Sequence, residues 1–155
     1  MSSVFERLTD TLTTASVPFA VLRHAPAFTS EEAATVRGTS LASGAKALVC
    51  KADDRFVLIV LPADRRLASK AVRQSSGVKS LRFATREEVA SLTGLTPGSI
   101  PPFGSLFGLA TYVDPALALN ATINFNAGDH AISVSMAYEA YLTAEQPRVG
   151  RFAEG

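Results

Sequence analysis

The chain has 155 residues, 47% apolar and 19% charged, with a formal net charge of +1; this suits a single globular domain and excludes a disordered chain. No apolar run approaches the length of a membrane span, and the N-terminal Met1-Ser-Ser-Val-Phe-Glu-Arg7 lacks the basic-then-apolar layout of a signal peptide. One cysteine, Cys50, and two histidines, His24 and His130, exclude an internal disulfide and argue against a zinc site, so the expected setting is the cytoplasm, with no metal and no cofactor.

The first predicted element is a helix over Val4–Thr14. Ser3-x-x-Glu6 forms its capping box, and Phe5, Leu8, Leu12 and Ala15 keep helical spacing. Val17 to Arg23 reads as a short strand broken by Pro18 and ended by His24-Ala-Pro26. Thr29-x-x-Glu32 caps a second helix that ends near Gly38. Ala45–Lys51 and Phe56–Leu61 read as a hairpin; the second strand is continuously apolar and so is expected to be buried on both faces. Leu67 to Ser75 looks helical, and Thr85-x-x-Glu88 starts a further helix ending at Gly94. Strands are expected near Leu109–Val113, Thr122–Phe125 and Ile132–Val134. A helical turn is expected over Asp114–Asn120, and a last helix over Met136–Leu142. Hairpins and helices mix without strict alternation of strand and helix, and neither a repeat nor a linker interrupts them. The pattern predicts a single α+β domain over residues 1–155, built on a mixed or antiparallel sheet.

Three segments carry the functional signal. Gly94-Leu-Thr-Pro-Gly-Ser-Ile-Pro-Pro-Phe-Gly104 holds three glycines and three prolines. Proline removes an N–H donor and fixes φ, and glycine opens backbone conformations closed to other residues, so this stretch reads as a rigid, shaped loop and a candidate site wall. Ser43-Gly-Ala-Lys-Ala-Leu-Val-Cys50 places one lysine, Lys46, inside an apolar strand. An ammonium there is unfavourable unless it meets an anion or a wet cleft, or snorkels from the strand end. The third segment is Asn124-Phe-Asn-Ala-Gly-Asp-His130, in which Gly128 suits a sharp bend. His130 would orient an amino group, contact a nucleoside or satisfy a core polar group. Charge is uneven as well. Arg65 to Arg86 contains seven basic residues and no acid, whereas Glu87 to Pro147 contains six acids and no Lys or Arg. A phosphate-binding patch or a solvated helix accounts for such a run.

In this order and at these separations, the three segments resemble the YbaK/ProX family of aminoacyl-tRNA deacylases, whose domain also occurs inserted in bacterial prolyl-tRNA synthetases as an editing domain. The resemblance runs from about Val17 to Arg151 and implies a curved mixed sheet flanked by helices. It implies a trans-editing deacylase that hydrolyses the ester of a small mischarged amino acid (serine, alanine, threonine or cysteine class) on tRNA-Pro or tRNA-Ala. The partners it implies are the mischarged tRNA acceptor end and an aminoacyl-tRNA synthetase. By resemblance Lys46 is the functional lysine, an anchor for the terminal adenosine or its ester, and the Pro101-Pro102-Phe103-Gly104 turn builds the catalytic wall with Gly104 at the oxyanion site. Asn126, Gly128 and His130 would position substrate, Thr29 and Ser30 would edge the pocket, and Arg65, Arg66, Lys70 and Arg73 would face the tRNA. Cys50 has no role in that scheme beyond the core. The rival reading is a non-catalytic tRNA- or synthetase-binding module of the same fold. A small-molecule esterase is a weaker rival, because the chain has no Gly-x-Ser-x-Gly elbow and no catalytic triad.

Overall fold

The computed structural model describes residues 2–154. Helices α1 (Val4–Thr14), α2 (Ser30–Arg37) and α4 (Arg86–Thr93) each start at a complete capping box, Ser3/Glu6, Thr29/Glu32 and Thr85/Glu88. In each box the hydroxyl satisfies one orphan N–H and the glutamate returns the bond to the cap, so these starts are set locally. Gly38, Gly77 and Gly94 end α2, α3 (Ser69–Ser76) and α4 in the left-handed conformation, which glycine adopts without penalty.

Among the described residues, eight strands form two sheets. β2 (Ala45–Ala52) and β3 (Arg55–Pro62) pair as the expected hairpin, and the sheet order is β4-β2-β3-β5-β8. β5 (Ala110–Val113) lies parallel to β3, and β8 (Arg148–Val149) lies parallel to β5, so this sheet is mixed. β1 (Ala20–Arg23), β7 (Ile132–Ala137) and β6 (Thr122–Asp129) form a second, antiparallel sheet in the order β1-β7-β6. A single bridge between Gly44 and Asn124 connects the two. The expected mixed sheet is therefore present, with a smaller antiparallel partner beside it.

Residues alternate sides along β3. Leu58 and Val60 join a core cluster with Leu8, Phe103, Phe125 and Tyr141, while Val57, Ile59 and Leu61 join another with Cys50, Val72, Tyr112 and Phe152. A continuously apolar strand buried on both faces follows from that arrangement. β4 (Leu81–Phe83) and β8 are short edges that the sequence does not announce. β6 runs four residues further than expected because Gly128, at φ +85°, carries the strand through a bulge between Asn126 and Asp129. A Cβ on Gly128 would lie 2.9 Å from a Val4 methyl, so α1 also packs directly against that backbone. β7 extends to Ala137, and the last helix, α5, is displaced to Tyr138–Glu145.

Candidate functional site

A cavity of about 170 Å³ opens where the two sheets meet. The segment leading into α2 contributes Phe28, Thr29 and Ser30, and α2 itself contributes Ala33, Ala34 and Arg37. Gly44 and the first four residues of β2, Ala45 through Leu48, contribute as well, the Gly/Pro loop contributes Gly98 and Ile100, and β6 contributes Asn124 and Asn126. All three motif segments therefore reach one space, although they are far apart in sequence.

Lys46 is the second residue of β2. Pairing with Leu61 puts it on the face that continues through Leu48 and the buried Cys50. Its ammonium makes no hydrogen bond or ion pair among the described residues. Burial pulls its pKa below the usual lysine value; the charges of Asp64 and Glu31 oppose that shift and Arg66 adds to it. Arg37 leaves the last turn of α2 and is half-buried. Its Nε donates to Ser133 Oγ at 2.8 Å and one Nη to Asn126 Oδ1 at 2.9 Å. Desolvation lowers its pKa to about 10. Among the described residues no carboxylate lines the cavity, so two cations face it with no contacting counter-ion, and Asp64 and Glu31 act on Lys46 only from outside that lining. The one ion pair among the described residues is Arg82 with Glu88, elsewhere.

A polar network fixes this wall. Asn126 accepts from Arg37 and donates its amide to Gly98 O at 2.6 Å. Ser133 Oγ, besides accepting from Arg37, lies 2.8 Å from His24 Nε2, and His24 Nδ1 lies 2.8 Å from Ala25 O. Because a carbonyl only accepts, Nδ1 is the donor to Ala25 O. Gly98 has φ +92°, and Gly128 N donates to Ser99 O at 2.8 Å. The Gly/Pro loop is thus pinned to the β6 bulge at Ser99 and to Asn126 at Gly98. Gly98 and Ile100 both line the cavity, and neither backbone N–H donates to an acceptor among the described residues.

Not every expected site residue belongs here. Pro101, Pro102, Phe103 and Gly104 are buried and lie outside the cavity lining. Phe103 is packed edge-on against Tyr141, with ring centroids 5.2 Å apart, and Tyr141 donates its hydroxyl to Pro102 O at 2.8 Å. Gly104 N donates to Thr111 Oγ1 at 2.8 Å, Phe103 N to Pro101 O, and Ser105 N to Glu145 Oε2. The Gly104 N–H expected at the oxyanion site and its two neighbours are therefore each bonded inside the protein. A Cβ on Gly104 would come within 2.5 Å of Thr111 Oγ1, which makes the residue a packing glycine. The wall is the first half of the loop, and the second half is its foundation.

His130 stands behind the wall. Its Nδ1 lies 3.2 Å from Ala27 O and so donates, its Nε2 lies 3.0 Å from Thr96 Oγ1, and Phe28 stacks on its ring at 4.6 Å. It joins the Gly/Pro loop to the segment before α2 and carries Phe28, a lining residue left 67% exposed at the rim. Gly128 shapes the bulge and does not line the cavity. Thr29 and Ser30 do line it, Thr29 also serving as the α2 cap. Arg65 and Lys70 line a separate open groove with Arg151, between α3 and the 115–119 turn; Arg66 and Arg73 are exposed outside it. The Ala63–Arg66 turn spans both places, because Ala63 lines the cavity and Arg65 the groove. Cys50 is fully buried, and burial pushes its thiol up to about 12, the state of an inert core residue. Sequence reasoning missed Arg37, Gly98 and Phe28; for Phe28 the available signal was an aromatic immediately before a helix cap.

The arrangement of a mixed sheet beside a short antiparallel one, with this cavity where they meet, matches a known class. A family model of the aminoacyl-tRNA editing domain fits residues 24–144, and the chain belongs to that family. It is 34% identical to the Multifunctional Ser/Thr-tRNA deacylase ProXp-y of Escherichia coli K12, over 97% of this chain and 93% of that protein. It is 32% identical to the Proline--tRNA ligase of Bacillus licheniformis over 76% of this chain, a match that spans 21% of the ligase. A solved structure described as a candidate trans-editing enzyme for prolyl tRNA synthetase superposes with a TM-score of 0.84 at 26% identity, covering 100% of this chain and 99% of that one. A hypothetical protein of solved structure gives 0.88 at 23% identity, over 96% of this chain and 100% of its own, which speaks for the fold alone.

Proposed function

We propose that this chain is a trans-editing deacylase, which hydrolyses the ester between a small mischarged amino acid and the 3′ end of a tRNA. The observation that carries the reading is Lys46: a half-buried ammonium with no protein partner, at a small cavity, in a chain of the editing-domain family. An unpaired, desolvated cation is unfavourable in the free protein, and a substrate oxygen would relieve it. At about 170 Å³ the cavity is well below the roughly 300–1,000 Å³ of sites for drug-sized ligands, which suits a small aminoacyl group.

In this reading the exposed Phe28 ring gives the terminal base a stacking surface. Lys46 anchors the ester end of the substrate. Water attacks the ester carbonyl, the ribose oxygen leaves with a proton, and free amino acid and tRNA result. The N–H groups of Gly98 and Ile100 are the available donors for the oxyanion, in place of Gly104. The ribose's own vicinal hydroxyl is available to assist. Arg65 and Lys70 in the groove, with Arg66 and Arg73 beside it, serve the tRNA body, and the Ala63–Arg66 turn leads from there to the cavity. Serine and threonine are the favoured amino acids, since those appear in the name of the full-length relative; tRNA-Pro is the favoured carrier, with a cytoplasmic prolyl-tRNA synthetase as partner. Among the described residues no helix is long and apolar enough to cross a membrane.

The test is a panel of tRNAs mischarged with serine, threonine, alanine and cysteine, incubated with purified protein. Release of at least one amino acid well above the spontaneous rate is expected. Full stability of every ester, with tRNA still bound, would replace the enzyme by a binding module.

A further inference from the structure

The mechanism above leaves Arg37 unused. Its guanidinium is fixed at two points, Nε to Ser133 and one Nη to Asn126, and among the described residues no carboxylate pairs with it. The other Nη is 3.8 Å from where a Cβ would stand on Gly44, so it lies beside bare backbone at the cavity lining. Ser133 and Asn126 are neutral acceptors. They orient the planar fork without neutralising it, and they are themselves held, by His24 and by the Gly98 carbonyl. An arginine immobilised in this way, with one edge open, is built to receive an anion.

The proposed substrate limits which anion that is. Its amino acid is small, and its carboxyl is consumed in the ester. Its α-amino group adds positive charge to a space that already holds Lys46 and Arg37. The one anion that the end of an aminoacyl-tRNA offers is the phosphate on the 5′ side of its terminal nucleoside. We propose that Arg37 is the seat of that phosphate, a positioning contact that sets the register of the terminal nucleotide between Phe28 and Lys46. This rests on the deacylase reading. The described residues offer no other pairing for the charge, and desolvation of the guanidinium is an energetic burden that phosphate relieves.

The experiment compares adenosine with adenosine 5′-monophosphate as ligands, by calorimetry, on the wild-type protein and on Arg37→Gln. The wild type is expected to bind the monophosphate about 10- to 100-fold more tightly than adenosine, the range of one charged hydrogen-bonded contact. Arg37→Gln is expected to erase that gap, and to lose far more kcat/KM, mainly through KM, on mischarged tRNA than on phosphate-free aminoacyl-adenosine. Equal wild-type affinities for the two ligands overturn the proposal, and this comparison requires no variant to fold. Equal losses by Arg37→Gln on both substrates also overturn it, as does a loss confined to acidic amino acids, which would turn Arg37 toward the aminoacyl side chain. A wild-type protein that clears mischarged tRNA yet ignores the 5′-phosphate sinks the phosphate seat alone. One that shows the phosphate preference yet clears no ester sinks the deacylase reading alone.

Discussion

Lys46 concentrates the tension between stability and function. It shares a strand face with Leu48 and Cys50, and among the described residues its charge has no hydrogen bond or ion pair, only the more distant pull of Asp64 and Glu31. Replacing it with methionine keeps the apolar stem and removes the charge. Deacylation is expected to fall to background while the fold survives. The melting temperature should rise slightly, by roughly 1–2 °C, because partial exposure screens much of the penalty. The pH dependence has a definite sign. The folded-state pKa of Lys46 lies below its unfolded value of 10.5, so the folded state sheds its proton first. The penalty is complete below the folded pKa and fades as pH rises towards 10.5, so the wild type gains on Lys46→Met across that window. Melts of both proteins from pH 7 to pH 10.5 check it; a constant gap, or one that widens, contradicts the assignment. Lys46 was legible in the sequence because it is the one charge in the apolar run Ala45 to Cys50. Arg37 was not, because an arginine in the last turn of a helix reads as an ordinary complement to the helix dipole, and its partners Asn126 and Ser133 lie 89 and 96 residues away.

The Gly/Pro loop is an element with two jobs, and its glycines separate them. Gly98 lines the cavity at φ +92°, whereas Gly104 packs against Thr111. Gly98→Ala strains a backbone that L-residues avoid and shifts the neighbouring N–H groups, so turnover per folded molecule should drop by about 10²–10³, the loss typical of one oxyanion donor. Gly104→Val should do the reverse: a melt lowered by several degrees, with turnover in the folded fraction preserved. Single-turnover hydrolysis paired with a thermal melt of each variant separates the two, and a catalytic loss at Gly104 without destabilisation would restore it to the site. The density of glycine and proline made the loop stand out in the sequence. It did not reveal which half faces the substrate, because that depends on Tyr141, Thr111 and Glu145 gripping the second half from remote elements. The capped helices and the central hairpin were legible because their signals are local. β4 and β8 were not, since three- and two-residue edges exist only where a neighbouring strand accepts them.

For the whole molecule, charge and cavity are joined through one turn. The basic run read from the sequence is not a single patch: Arg82 is occupied by Glu88, while Arg65 and Lys70 share the groove with Arg151. Reversing the charge of Arg65 and Lys70 together should therefore weaken tRNA binding and reduce the slope of its salt dependence by about two. The loss should be far greater on tRNA than on aminoacyl-adenosine; parity would return the run to a structural role. The burial of Cys50 has a consequence of another kind. Its strand is paired with β3 on one side and β4 on the other, and no second thiol exists in the chain to confuse a reading. An alkylating reagent can reach it only when the layer packed over its face of the central sheet, Val72 and Phe152 among it, opens. The rate of alkylation is then a clock for that opening, a stopwatch the protein carries without any engineered label. Occupying the cavity with adenosine 5′-monophosphate should slow the clock in proportion to ligand bound, because the first residues of the same strand line the ligand's seat.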